Sequence, residues 1–199
     1  MSETARLRYR SVTLAPLVQQ FMPRLRELEL SEALALRWRH HGRHVSPTEH
    51  EQVLWNSLCN FVVLLGQRPV GIVSAYDEDF SNGHCKIAVC AFPGESRAAT
   101  LRGLLLLINY LFQGWSFRKL YAEVLSYNSS QFHLRSHMGL VEEGRLTEHV
   151  FLDGAYHDLI FFSVTRREWD SAKAHWLPDL FNVAVPDGSL LESDGSVNC

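Results

Sequence analysis

The sequence predicts an α/β (α+β) fold, one mixed sheet of about seven strands with helices on both faces. Three observations carry that expectation. Apolar strand-like runs and helical patterns interleave in the order strand, helices, a run of strands, helix, strand, helix, strand pair. Two of the strand pairs are separated by short turns, the signature of antiparallel hairpins. A long apolar helix, read in AFPGESRAATLRGLLLLINYLF (91–112), follows a strand through a loop of only a few residues.

Taken in order, residues 6–13 alternate enough to start the sheet. Residues 15–39 place Leu17, Phe21, Leu25, Leu28, Leu34 and Leu36 at helical spacing. Pro23 interrupts the run, so two helices are expected there. Residues 40–46 read as a polar loop, and Ser46-Pro47-Thr48-Glu49 as an N-cap with Pro at the first helical position, opening a helix to about Cys59. Residues 60–76 form a hairpin signal turned at Gln67-Arg68-Pro69; 77–83 is a turn-rich loop, and His84 to Phe92 is a third strand. After the apolar helix, ending near Gly114, come a strand at Leu120–Leu125 and a short helix from Ser129 to His137 closed by Gly139. Two strands, near 140–152 and 156–165, meet at Asp153-Gly154, a strong hairpin pair. Beyond Arg167 the chain turns Pro- and Gly-broken, acidic and serine-rich. Residues 1–170 are therefore read as one domain and 171–199 as a partly flexible C-terminal appendage.

Composition bounds the function. With 199 residues, 46% hydrophobic and 21% charged, the chain can bury a sizeable core. A net charge of −3 gives no global basic field for nucleic acid. No signal peptide is visible at the N-terminus, and Leu104–Phe112 is too short to span a bilayer, so a cytoplasmic location without membrane contact is expected. Cys59, Cys85, Cys90 and Cys199 show no C-x-x-C spacing, which argues against disulfides or zinc. His40 and His44 have i,i+4 spacing, but Gly42 weakens a helix there and no H-E-x-x-H pattern exists, so no metal is expected.

The segment FRKLYAEVLSYNSSQFHLRSHMGLVEEGRLTEHVFLDGAYHDLIFFSVTRREW (117–169) resembles the GNAT acyltransferases, closest to the branch of ribosomal-protein-alanine N-acetyltransferases. Asn128 ending a strand, Met138-Gly139-Leu140, Glu143-Gly144-Arg145, His149, Asp153-Gly154, Tyr156, Asp158 and Glu168-Trp169 carry the resemblance. It implies a fold in which two neighbouring parallel strands splay apart, with acyl-CoA (most simply acetyl-CoA) lying in the gap as donor. Pantetheine amides would pair with strand 84–92, around Val89 and Cys90. The pyrophosphate would rest on N–H groups at a helix N-terminus, where the macrodipole favours an anion.

The family's loop pattern, Gln/Arg-x-x-Gly-x-Gly/Ala, falls on Glu95-Ser96-Arg97-Ala98-Ala99-Thr100. Glu95 replaces the basic or amide residue, Ala98 the central glycine and Thr100 the last small residue. Ala98 permits backbone approach if its φ is negative. Arg97, Ala98, Ala99 and Thr100, with Asn128 and Arg135, are the expected donor-binding residues, and Thr100 a candidate helix cap. Arg135 stands where many members have a general-acid Tyr, and an arginine cannot supply a proton near neutrality. Candidate bases are Glu123 and His84. Acceptor selection is assigned to Trp38, His41, Tyr76 and Asp77, with His40, Arg43 and Asp79 nearby in sequence; carboxylates there suit a cationic amine. Asp158 is read as structural, paired with backbone or Arg145. The implied activity is direct transfer of an acyl group to a primary amine of a small molecule or peptide, with a homodimer possible. Two alternatives keep the fold: a carrier-protein thioester in place of CoA, or a non-catalytic binding module.

Overall fold

The computed structural model describes residues 7–35, 37–40, 42–128 and 140–176. Eight strands form one sheet in the order β1-β2-β3-β4-β5-β6-β8-β7. They are β1 (Arg8–Tyr9), β2 (Val12–Pro16), β3 (Cys59–Leu65), β4 (Arg68–Asp79), β5 (His84–Ala91), β6 (Lys119–Leu125), β7 (Val141–Leu152) and β8 (Ala155–Thr165). The strand beyond the expected seven arises at the start of the chain. Arg10, at φ 53°, turns the backbone and divides the first segment into β1 and β2.

Four helices flank the sheet: α1 (Met22–Glu29), α2 (Pro47–Trp55), α3 (Arg97–Gly114) and α4 (Arg166–Trp176). Pro23 does not separate two helices; it lies in the first turn of α1, where its missing N–H is tolerated. The second helix expected before residue 40 ends at Glu29. The described residues from Ser31 to His40 run as successive turns, and Gly42 N–H closes them by donating to Ala35 O at 2.7 Å. Helix α2 starts as expected, with Ser46 Oγ accepting from Glu49 N–H at 3.1 Å, but stops at Trp55. Cys59 opens β3, pairing with Ala75, because the hairpin needs it as a strand residue. Asp153 and Gly154, at φ 49° and 77°, make the tight turn between β7 and β8. Helix α4 continues through residue 170 to Trp176; the expected helix at 129–137 and the tail from 177 lie outside the described residues.

The two faces of the sheet are covered differently. Helix α3 lies on one, burying Leu104 to Ile108 and Leu111 against Val73, Ala75, Ile87, Leu120, Val124 and Phe162. Close approach is possible because Gly103 has no side chain; a Cβ there would sit 2.6 Å from Val63 Cγ2. Arg166 holds the far end of α3 by donating to the carbonyls of Phe112, Trp115 and Phe117, groups left open by the helix end. On the opposite face, α1 and α2 bring Met22, Leu25 and Leu54 over Val62, Ile72, Cys90 and Phe92.

Candidate active site

One pair in the sheet is parallel. Strand β5 meets β6 at His84↔Lys119, Cys85↔Leu120 and Lys86↔Tyr121, and there the ladder stops. Both strands continue, β5 to Ala91 and β6 to Leu125. From Ile87 onward β5 stays paired with β4 on its other side, while its β6 edge has no strand partner among the described residues. Val89 and Cys90 lie on this stretch, whose backbone N–H and C=O groups face the wedge without a strand partner among the described residues.

The wedge runs toward the N-terminus of α3. Gly94, at φ +75°, turns the chain out of β5. Ser96 caps the helix by accepting from Ala99 N–H at 3.2 Å; Thr100, expected as a cap, does not take that role. The Thr100 hydroxyl is buried, within hydrogen-bonding distance of Val70 O (3.1 Å) and Ser96 O (3.0 Å), and its N–H is bonded to Ser96 O. Ala99 is buried too. Arg97 and Ala98 remain exposed in the first turn, where N–H groups have no intrahelical acceptor. Ala98 is helical with negative φ, so the alanine in place of the family's glycine imposes no strain. Glu95 is not an isolated charge: Arg68 Nε lies 3.4 Å from its carboxylate.

On the α1–α2 face, charged and polar side chains gather at the point where β5 and β6 part. Lys86 Nζ lies 2.7 Å from Glu123 Oε1 and 3.0 Å from Asp77 Oδ2. Burial acts to discharge Lys86, but its hydrogen bonds to Glu123 and Asp77 prevail and hold its pKa above the ordinary value. Glu123 shares the β6 face of Tyr121 and Leu125, as alternation predicts. Asp77 reaches Lys86 from an irregular stretch of β4, where its φ is 49° and the register with β5 shifts. Tyr76 is half-buried, and burial, reinforced by the nearby Glu123 carboxylate, pushes its phenol up to about 12, so it stays a proton-bearing donor. His84 sits on the zipped side of the wedge, with Nε2 3.8 Å from Asp79 and its ring edge-on to Tyr121.

The acceptor-side loop is anchored from within. Trp38 Nε1 donates to Glu29 Oε1 at 2.8 Å. Arg39 Nε approaches the same oxygen at 3.3 Å, and His50 Nε2 lies 2.7 Å from Oε2. Burial opposes ionisation of Glu29, but the His50 hydrogen bond, the Arg39 charge and the Trp38 donor outweigh it and hold its carboxyl below the usual value. Trp38 packs into the apolar cluster that includes Ile72 of β4 and Cys90 of β5, which sets this loop against that side of the sheet. Asn128 ends a short turn after β6 and donates to Arg37 O at 3.4 Å. His41 and Arg135 lie outside the described residues.

Burial pushes the thiols of Cys59, Cys85 and Cys90 up to about 12, which leaves none of these three as a nucleophile near neutrality. Asp158 is structural as read, accepting from Arg145 Nη1 and Glu148 N–H, both at 3.0 Å. Lys86, Ser96, Arg68 and the Glu29–His50 pair were not singled out from the sequence. Ser96 carried a usable signal, a Ser just before an apolar helical run. Lys86 carried a weaker one, a charge inside an apolar strand. His50 stands out only as one of a His-rich stretch with His40, His41 and His44, and nothing in the sequence ties it to Glu29, 21 positions away.

A parallel pair that zips and then splays, with a helix rising beyond the splayed strand, is the architecture of the GNAT fold, and the chain has that fold. Among proteins it is similar to is the SPbeta prophage-derived, uncharacterized N-acetyltransferase YokL of Bacillus subtilis (strain 168), 28% identical over 102 residues, covering 51% of this chain and 58% of YokL. YdaF of the same organism, provisionally named a ribosomal N-acetyltransferase, is 24% identical over 104 residues, covering 52% and 57%. The chain thus spans little more than half the length of the curated relatives it matches. Among solved structures, spermidine N-acetyltransferase from Vibrio cholerae in complex with CoA and spermine superposes with a TM-score of 0.70 at 23% identity, over 80% of this chain and 98% of that one. A probable acetyltransferase superposes with a TM-score of 0.66 at 18% identity, over 81% of this chain and 96% of the other. No family model matches the chain. No helix among the described residues is long and apolar enough to cross a membrane.

Proposed function

We propose that this protein is an N-acyltransferase that moves an acyl group, most simply acetyl, from CoA to a primary amine by direct attack. The observation that carries the reading is the coincidence at one wedge of three things: an unpartnered β5 edge, an exposed helix N-terminus and a carboxylate. The CoA and spermine named with the Vibrio cholerae enzyme support a CoA donor and a cationic amine acceptor. In this reading Val89 and Cys90 pair with pantetheine amides through their backbone. The N–H groups of Arg97 and Ala98 meet the pyrophosphate, and the Arg97 guanidinium adds charge.

The acceptor amine enters from the α1–α2 face, past Trp38, His41, Tyr76 and Asp77. Glu123 is the base: it takes the ammonium proton, directly or through a water, and the freed nitrogen lone pair attacks the thioester carbonyl. The tetrahedral oxyanion collapses, an N–C bond replaces the S–C bond, and the CoA thiolate leaves and is then protonated. Lys86 Nζ, 2.7 Å from the Glu123 carboxylate, competes with the acceptor for it, since both are cations.

A carrier-protein thioester is the second reading, and one observation favours it: Glu95 places a carboxylate where the nucleotide's anionic end would lie. Calorimetric titration with acetyl-CoA separates the two. Micromolar binding supports CoA; no binding at millimolar ligand, together with turnover of an acylated carrier protein, sinks it. For the base, Glu123→Gln lowers kcat by about 10²–10⁴-fold with the donor KM nearly unchanged. An unaltered kcat would remove Glu123 from the chemistry.

A further inference from the structure

The segment carrying Trp38 to His40 folds back over α1 and α2, and it brings together three side chains distant in sequence. Glu29 closes α1, His50 lies in α2, and His40 comes from the loop between them. One ligand-type atom from each lies within 4.8 Å of the other two. Glu29 and His50 are buried, and His40 is half-buried, which leaves a route from solvent. The rings of His40 and His50 are tilted, with centroids 5.8 Å apart. Three buried nitrogens here have no hydrogen-bond partner, His40 Nε2, His50 Nδ1 and Arg39 Nη2. His50 turns Nε2 to Glu29, so a cation held there leaves Nδ1 to water, and the open valence the cation fills is His40 Nε2. Unsatisfied buried polar atoms of this kind call for a missing partner.

We propose that Glu29, His40 and His50 form a binding site for a divalent transition cation of the zinc class, tying the acceptor-side loop to α1 and α2. Two imidazoles and a carboxylate are the donor set that borderline cations such as Zn²⁺ prefer over Mg²⁺ or Ca²⁺, which take oxygen. Oε1 of Glu29 is already held by Trp38 and Arg39, so the carboxylate is oriented and Oε2 is the oxygen turned toward His50. Ligands about 2.0–2.2 Å from zinc lie roughly 3.4 Å apart. The Glu29–His50 separation of 2.7 Å therefore opens slightly and the wider separations close, movements within reach of side-chain rotation. Arg39 competes for the same carboxylate and sets the site's affinity below that of a purely anionic one. No metal was expected from the sequence, and His44, four positions after His40, has no place in the cluster.

The test uses the full chain after chelator treatment, with Co²⁺ and Zn²⁺ as probes and no acyl substrate present, so its outcome does not depend on the acyltransfer reading. Calorimetry is expected to give one equivalent of Zn²⁺, and Co²⁺ to give the visible absorption of a low-coordinate nitrogen-ligated ion. His40→Ala lowers the affinity at least tenfold, whereas His44→Ala leaves it unchanged. Absence of stoichiometric binding by the folded protein, or equal affinity in wild type and His40→Ala, overturns the proposal. Should His40→Ala fail to fold by circular dichroism, His40→Gln preserves bulk and polarity without an imidazole and carries the same comparison.

Discussion

The two sides of the wedge are built on opposite principles. The side proposed for the donor is made of backbone: an open strand edge, a glycine turn and a capped helix start, all contiguous between His84 and Thr100. The side proposed for the acceptor is made of polar and charged clusters: Glu29 with Arg39 and His50, and Lys86 with Asp77 and Glu123, each drawn from separate elements. A backbone site tolerates side-chain change, so Ala98 can replace a glycine without strain. A charge site does not, and least where, as at Glu29, the carboxylate is buried and its partners leave it no solvent. Substitutions on the acceptor side should therefore cost far more than those on the donor side.

The largest expected effect follows from breaking the buried cluster. Glu29→Ala in the metal-free protein leaves Arg39 without its carboxylate and should destabilise by about 3–5 kcal/mol, read from urea unfolding. A change below 1 kcal/mol would place the cluster among exposed pairs and erase the contrast. On the donor side, Arg97→Glu should raise the acyl-CoA KM roughly tenfold, about 1.4 kcal/mol, while the unfolding midpoint stays put. If KM does not move, the helix N–H groups hold the phosphate without Arg97. Smaller still, Ser96→Ala removes the cap of α3 at a cost of about 1 kcal/mol, measurable by the same unfolding curve. If it instead matches the loss from Glu29→Ala, the donor side is not the tolerant one.

A further effect, absent at neutrality, is a pH dependence at the alkaline end. Cys59, Cys85, Cys90 and Tyr76 all have pKa values raised by burial, to about 12. The unfolded chain releases these protons from about pH 9 upward while the folded chain keeps them. Stability contributed by these groups is thus complete below pH 9 and declines as pH rises toward 12. Iodoacetamide should leave the three thiols of the native protein unmodified at pH 8; rapid alkylation would show that they are not buried.

Local order explains which features were legible. Ser46-Pro47, Asp153-Gly154 and the apolar run of α3 announce themselves, because a cap, a turn and an amphipathic face each depend on neighbours within a few residues. The second helix read within 15–39 ends at Glu29 for the complementary reason. Its apolar spacing was real, but Trp38 and Arg39 are drawn to Glu29, and the backbone turns to deliver them. Thr100 misled similarly: a helix-start residue type, it lies one turn inside and bonds to β4. Glu123 could be placed by strand alternation alone, whereas Lys86 beside it required knowing that β5 and β6 are neighbours.

By itself, then, the sequence determined the elements, the hairpins and, through the motif residues from Asn128 to Trp169, the GNAT architecture. It also located the loop proposed to hold the donor, since strand, turn and helix there are continuous in the chain. Only the tertiary structure decided which charges meet: that Lys86 bridges Asp77 and Glu123, that Ser96 rather than Thr100 caps α3, and that Glu29, His40 and His50 share one buried corner. The physical reason is range. Backbone conformation answers to adjacent residues, but a Coulombic partner is chosen by distance in space, which strand order and loop path fix after the chain has folded.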